Sequence, residues 1–402
     1  MENKEVKIVL GSAFGDEGKG VTVQYLCKKA IDQGKKPLVI RFSGGPQAAH
    51  TIQYNGIEHI CSTYGSGVLL GVPTLIWNTT YFNPLDAKLE YEILKKKIKK
   101  VPPLYVMPKT RIVTPYDVAN GRRNAKVLRD GTCGRGIYPT FKRDKDGFHV
   151  YPDNFTDLNT LSDLDYYYYE NDKAFDSVES TIYKQLIKDV ENDKYKFFNV
   201  AGVIALATFD VLIFEGSQGL LLDMDRGFYP NVTPSKTGLN AFTDDVILEK
   251  LLQNAEVYLV SRTYLTRHGN GYTPCQYGFN FDLSNKHETN VENQYQGVFK
   301  TGIMNFDLLN EAYNRHCLDN YWKLYNLTFN MVVTHWDLLD NIDEYNFIFH
   351  DKRQNFNSSI DNDNRTLKDR VGELFRFFAT DIRFNNVYIN DSPESNLKKL
   401  DF

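Results

Sequence analysis

The chain has 402 residues, 42% of them hydrophobic and 24% charged, with a net charge of -4. That length and balance describe a folded chain of one large domain or two ordinary ones, not a disordered one. Lys and Arg are scattered, which argues against a broad nucleic-acid-binding face, and no apolar run approaches the length of a membrane span.

The N-terminus, MENKEVKIVLG, enters a strand directly, without the apolar core and cleavage site of a signal peptide. Val6 to Leu10 reads as a buried parallel strand. GSAFGDEGKG at 11–20 follows, and helical spacing resumes at Val21. Strand, glycine-rich turn and helix form an arrangement that cradles phosphates, because backbone N–H groups at a helix N-terminus point at the anion. Gly15, Gly18 and Gly20 let the backbone approach, and Lys19 adds a positive charge. The turn is P-loop-like but not a Walker A loop. Ala13 stands where that pattern needs glycine, and Gly20 where it needs Ser or Thr. Asp16 and Glu17 would repel phosphate unless a metal lies between or one carboxylate does chemistry on a second substrate.

Pro37 to Ile40 is the next strand, and Leu85 to Lys99 a lysine-rich surface helix. Residues 101–150 are rich in Pro and Gly and read as irregular. Tyr166 to Tyr169 lie in a helical acidic segment and read as partly buried packing. Phe209 to Phe214 is a buried strand, Asp244 to Gln253 a helix, and Val257 to Val260 the strand after it. Residues 268–302 form a long ordered excursion, and Met331 to Val333 is another central strand. Thr366 caps a helix running to about Thr380, with Asp369 three places after the cap, and Val387 to Ile389 is the last strand. The pattern predicts an α/β fold: a single large domain over 1–402 with a mostly parallel central sheet flanked by helices. Its polar clusters fall at the carboxyl ends of strands, where such folds carry their sites. The cysteines at 27, 61, 133, 275 and 317 show no CxxC pair and no metal-ligand spacing, so reduced thiols and a cytoplasmic location are expected.

Six motifs in order resemble the adenylosuccinate synthetase family. They are GDEGKG at 15–20, GGPQAAHT at 44–51, GTCGRGIYP at 131–139, FEGSQGLLLDMDRGFYPNVTPS at 214–235, TRHGNG at 266–271 and THWD at 334–337. The resemblance runs from residue 8 to residue 393. It implies a ligase joining L-aspartate to C6 of a 6-oxopurine nucleoside monophosphate, through phosphorylation of O6 by a nucleoside triphosphate. It implies Asp16 as the base at N1, His50 as donor to O6 or the phosphoryl group, Lys19 on the phosphates and Gln218 on the base. Mg²⁺ would sit at Asp16 and the Ala49 backbone. Gly15, Glu17, Gly18, Gly20, Gln47, Thr132, Cys133 and Thr233 would line the nucleotide sites. Arg135 and Lys300 would meet aspartate, and Asp337 would read the guanine edge and favour GTP over ATP or dATP. The family also implies a homodimer, with neither nucleic acid nor membrane as partner.

The departures cluster in the acceptor and amino-acid loops. The family has TTGRRRRTGW where this chain has Glu288-Thr289-Asn290 and then Gln296 to Gly302, so one basic residue, Lys300, survives. His268 replaces the valine of TRVG, Gln47 replaces an asparagine, and Asn390-Asp391-Ser392-Pro393 alters the second half of the guanine site. These changes resemble the phage branch of the family, which acts on dGMP, whereas the retained Asp16 resembles the IMP-using enzymes. Two readings compete with a ligase. A nucleotide-binding regulator that lost the chemistry is opposed by the presence of both Asp16 and His50. A P-loop GTPase switch is opposed by Gly20 after Lys19.

Overall fold

The structure is a computed structural model that describes residues 4–123, 133–171, 177–243, 245–272, 280–281, 299–317, 320–358, 365–392, 394 and 396–400. Its centre is a ten-stranded sheet. In chain order the strands are β1 (Glu5–Gly11), β2 (Pro37–Arg41), β3 (Thr74–Ile76), β4 (Leu104–Val106), β5 (Phe198–Val200), β6 (Val211–Glu215), β7 (Glu256–Arg262), β8 (Thr328–Thr334), β9 (Asn386–Asn390) and β10 (Leu397–Leu400). They lie in the order β10-β9-β8-β7-β1-β6-β2-β3-β4-β5. Every neighbouring pair is parallel except β9 with β10.

The alternation of β1 explains both faces. Ile8 and Leu10 point into the large core with Ile40, Phe214, Leu259 and Val333. Val9 points the other way, onto Val23, Leu26, Cys27 and Ala30 of the helix α1 (Lys19–Asp32). Each such side chain, fully buried, contributes roughly 1.5–3 kcal/mol. The chain builds outward from β1 to β5, returns to place β6 beside β1, then crosses to β7 on the other side. The direction of building thus reverses around β1, β6 and β7, and a crevice opens beyond the carboxyl ends of these strands.

Local expectations hold where the signal is strong. The lysine-rich helix spans Pro84–Lys97, with Asn83 as its cap. Tyr167 and Tyr168 are buried in the helix Leu158–Asn171, whereas Tyr166 and Tyr169 are exposed. Thr366 caps the helix Leu367–Asp381, and Asp369 completes a reciprocal capping box. The stretch 101–150 is not irregular. It contains β4, a short strand Arg111–Ile112, and the helices Pro115–Arg123 and Ile137–Lys145. Pro115 opens a helix, where its missing N–H costs nothing, and Gly136 precedes one with φ of 78°, so these residues punctuate structure instead of breaking it. Nor is Val387 to Ile389 in the last strand. The antiparallel β10 follows, and its sequence LKKL carries the lysines common on a sheet edge in place of an apolar run. Most of the excursion at 268–302, and Thr132, Cys275 and Pro393, lie outside the described residues.

His59, Cys61 and Glu90 come together, all buried, with one ligand atom of each within 4.8 Å of the others. Sequence spacing gives no hint of this group. Glu90 already accepts from the backbone N–H groups of Ser62 and Thr63 and from the Ser62 hydroxyl, and it meets His59 Nε2 at 3.1 Å. The cluster is thus a polar clamp tying the helix Pro84–Lys97 to the strand Ile57–Cys61. Among the described residues, no helix is long and apolar enough to cross a membrane.

The capping box gives a direct test of the helix assignment. Thr366→Ala removes the hydroxyl that accepts from the Asp369 N–H. We expect a loss of about 1 kcal/mol, read as a lower urea midpoint at unchanged slope. An unmoved midpoint would show that this cap does not hold the helix.

Candidate functional site

The loop after β1 is fixed from both sides of the sheet. Ser12 N–H donates to Val260 O at 2.8 Å, and Leu221 N–H donates to Ala13 O at 2.9 Å. Thr266 Oγ1 donates to Gly15 O, Arg262 Nε to Asp16 O, and Thr334 Oγ1 to Glu17 O, at 2.8, 2.5 and 2.9 Å. Gly18 has φ of 91°, and a Cβ there would lie 2.7 Å from Thr334 Cγ2, so both conformation and space demand glycine. At Gly20 a Cβ would come within 2.8 Å of His50 Cβ. Its absence lets the strand His50–Tyr54 lie against the start of α1.

The two adjacent carboxylates play different parts. Glu17 is turned inward. Its Oε1 accepts from Ala13 N–H at 2.5 Å, and Lys19 Nζ lies 3.5 Å from Oε2. Burial raises its carboxyl to about 7 against the pull of Lys19. Glu17 therefore shapes the loop from within, and Lys19 is buried beside it. Asp16 stands at φ of 59° with its side chain 27% exposed. Burial raises its carboxyl, but the polar contact and charge of His268, with Arg262 and Lys19 nearby, outweigh that and hold it below the usual value. His268 Nδ1 lies 3.1 Å from Asp16 Oδ2. The sequence puts His268 near the acceptor; the structure puts it on the candidate base.

The second candidate group is His50, whose Nδ1 is 2.5 Å from Oε1 of the fully buried Glu215 at the end of β6. Glu215 also accepts from the Ser66 N–H at 2.9 Å and from the Ser66 hydroxyl. Burial raises this carboxyl, yet His50, Arg41 and Ser66 together bring it down to about 2. Burial lowers His50, and Glu215 works against that shift. Glu215 lies in the FEGSQG motif and is one of the residues to which the family resemblance assigns no role. Its signal was a charged residue ending a run of buried ones.

Three serines interlock the loops around this pair. Ser43 Oγ lies 2.9 Å from Ser217 Oγ, and Gly44 N–H donates to Ser235 Oγ at 2.9 Å. They bring Gln47, Gln218 and Thr233 to one neighbourhood. Gln218, at φ of 56°, has a buried Oε1 without a hydrogen-bond partner, and both polar atoms of the Gln47 carboxamide are in the same state. Buried amides are rarely left so, and two together suit a polar ligand. Thr233 is buried, its N–H bonded to Leu222 O. Arg267 also belongs here. It lies over the Phe14 ring at 4.4 Å, and burial lowers its guanidinium to about 10.

Other predicted residues fall further out. Cys133 carries a free thiol and lies near the helix Pro115–Arg123, because Arg122 Nε donates to Gly134 O. Arg135 is half exposed and pairs with Asp86 at 3.4 Å, on a recess of about 340 Å³ also lined by Arg122, Arg123 and Glu179. Lys300 Nζ donates to Gly269 O at 2.8 Å, and its strand pairs with Leu265–Arg267. Asp337 follows β8, and burial raises its carboxyl with Lys368, Asp391 and Asp340 nearby. Ala49 is exposed immediately before His50.

Mg²⁺ fits the donors present. Asp16 is partly exposed and, among the described residues, its carboxylate holds one ion pair, so oxygen capacity remains for a hard cation. The Ala49 carbonyl is a second oxygen on an exposed residue. Two protein oxygens are too few for a closed cage, which suits an ion carried mainly by phosphates and water.

Glu215 links this geometry to stability. Its folded carboxyl stands at about 2 against an ordinary 4.5, so the stability it contributes is present above pH 4.5 and is lost as pH falls toward 2. Glu215→Gln should therefore flatten the acid limb of stability against pH, and at neutral pH it should lower stability. Urea midpoints across that range test both. Parallel curves for the two proteins would mean that Glu215 is not held low.

Residues 8–346 match the family model for adenylosuccinate synthetase. The adenylosuccinate synthetase of Mesoplasma florum is 32% identical over 290 residues, 67% of this chain and 64% of that protein. That of Porphyromonas gingivalis is 30% identical over 305 residues, 68% and 66% of the two chains. The match thus spans a little under two thirds of these relatives' own length. Among solved structures, the fully ligated adenylosuccinate synthetase of Plasmodium falciparum superposes with a TM-score of 0.70 at 19% identity, covering 97% of this chain and 98% of that one. The succinoaminodeoxyadenylate synthetase of cyanophage S-2L, bound to dGMP and dATP, gives 0.63 at 12% identity, covering 99% and 96%. At these identities the two structures speak for the fold alone. With residues 8–346 matched by the family model, the chain belongs to the adenylosuccinate synthetase family.

Proposed function

We propose that this chain is a purine-nucleotide ligase that condenses L-aspartate with C6 of a 6-oxopurine nucleoside monophosphate, at the expense of a nucleoside triphosphate. The observation that carries the reading is the pair of braced groups at the start of α1, Asp16 held by His268 and His50 held by Glu215, with Lys19 near both. Asp16 takes the N1 proton, and the electrons move to O6. O6 attacks the γ-phosphorus, the O6–P bond forms, and the nucleoside diphosphate leaves. The aspartate amine then attacks C6, and the C6–O6 bond breaks with loss of phosphate. Glu215 stabilises the imidazolium that donation from His50 Nε2 requires. Asp16 and the Ala49 carbonyl would hold Mg²⁺, which would supply charge neutralisation on the phosphates. Gln218 and Gln47 hold the base, with Thr132, Cys133 and Thr233 at the acceptor phosphate. Asp337 selects guanine in the donor. Arg135, which pairs with Asp86 at 3.4 Å here, and Lys300 meet the amino acid, and the chain works as a homodimer.

Asp16→Asn should lower turnover by about three decades or more while nucleotide binding persists, because an amide cannot take the N1 proton. Turnover within tenfold of wild type would remove Asp16 from the role of base.

For the acceptor we favour dGMP. The Gln47 carboxamide oxygen is buried and unpartnered, as a partner for the 2-amino group would be before binding. The second reading is IMP, supported by the retained Asp16 and by the names of the bacterial relatives. The test is kcat/KM for IMP, dIMP, GMP and dGMP with aspartate, GTP and Mg²⁺, products identified by mass. Leaving one buried polar group unpaired costs about 1–3 kcal/mol, so dGMP should lead by roughly tenfold to a hundredfold. A tenfold lead for IMP overturns the dGMP reading and leaves the ligase standing.

A further inference from the structure

We propose that His268 is a positioning residue for Asp16, and that Phe299 holds it in place. The inference rests on the ligase reading above and adds a residue pair to it. Two positions at which this chain departs from the family motifs meet in space. His268 stands in TRHG where the motif has valine, and Phe299 stands beside Lys300 where the motif has arginines. Their rings lie 4.9 Å apart, centroid to centroid.

The contact bears directly on the base. His268 Nδ1 lies 3.1 Å from Asp16 Oδ2, and the imidazole is 12% exposed, with Nε2 buried and without a hydrogen-bond partner. Asp16 has a left-handed backbone, a conformation that costs a residue other than glycine energy and persists only when its surroundings enforce it. The segment 262–268 supplies that enforcement. Arg262 Nε holds the Asp16 carbonyl, Thr266 holds the Gly15 carbonyl, and His268 meets the carboxylate. Phe299 packs on both ends of this brace, since the Arg262 guanidinium lies 5.5 Å from its ring centroid. The aromatic ring thus connects the amino-acid loop to the rotamer of the base. Valine at 268 could fill the space but could not address the carboxylate.

The test combines kinetics with a contact that does not depend on turnover. His268→Val should lower kcat by about tenfold to a hundredfold and leave KM for both nucleotides within a fewfold, because a misplaced base slows chemistry more than it weakens binding. His268→Asn keeps a nitrogen at the Nδ1 position and should restore most of the loss. Phe299→Leu should fall between. In protein labelled with 15N-histidine, the His268 Nδ1 signal, assigned by its loss in His268→Asn, should shift on Asp16→Ala. A kcat for His268→Val within twofold of wild type overturns the proposal, and so does failure of asparagine to rescue. An unmoved Nδ1 signal overturns it in the same way. A wild type that turns over no acceptor sinks the ligase reading instead, and the positioning role falls with it whatever the Nδ1 signal does.

Discussion

A carboxylate buried at the end of a central strand sets the terms for this site. Glu215 has no solvent exposure, and an unpaired charge there would cost several kcal/mol. Parallel strands bring Arg41 directly beside it, because β2 and β6 pair in register at these two residues. Arg41 in turn spends its guanidinium on the carbonyls of Ala48 and Tyr64, so it draws the GGPQAAH loop and the turn at 64–66 onto the sheet. Ser66 and His50 complete the carboxylate's shell. Removing one partner would leave a charge uncompensated, which costs about 3–5 kcal/mol in comparable buried pairs. The orientation of His50 is thus a consequence of satisfying Glu215.

The other half of the cleft obeys a different constraint. The loop at 12–18 has few side chains of its own to hold it, so its shape comes from backbone carbonyls captured by neighbours. Arg262, Thr266 and Thr334 belong to strand ends on one side of β1, and Leu221 follows β6 on the other. Glu17 closes the loop from within. A residue at left-handed φ, such as Asp16 or Gln218, can persist in such a frame, and both candidate site residues do. The site therefore draws rigidity from the sheet, while its reacting groups sit on loops.

How much of this was legible in the sequence depends on the range of the interaction. Strands such as Val6 to Leu10 and the capped helix after Thr366 announce themselves, because apolar runs and caps are local signals. Asp16 and His50 were legible because their motifs are contiguous. The Asp16–His268 contact was not, since it joins residues 252 apart in the sequence and nothing in TRHGNG points to the first loop. The inward turn of Glu17 is hidden from the sequence for a related reason. Beside Asp16 it looks like half of an acidic pair, and only the path of the loop shows it turning back to Ala13 and Lys19. Arg135 likewise reads as a site arginine from GTCGRG, and nothing in that motif announces its 3.4 Å pairing with Asp86 of an earlier helix.

The distribution of departures from the family motifs follows from the same mechanics. Glu215, Gly18 and Gly20 are each locked by several neighbours, so a change at any one unpairs buried charges or drives a Cβ into neighbouring side chains. These positions keep the family pattern. His268, Gln47 and Phe299 are held by fewer contacts and stand where loops meet the crevice, so their replacement alters what the cleft addresses without unmaking its walls. A histidine at 268 meets the partly exposed carboxylate of Asp16 at 3.1 Å. Its pairing with Asp16 is open to a polar side chain and not to valine, and the aromatic ring at 299 packs against the imidazole at a tilt. Divergence at the rim of the crevice thus reaches the reacting centre through one contact, while the sheet that carries both stays the same.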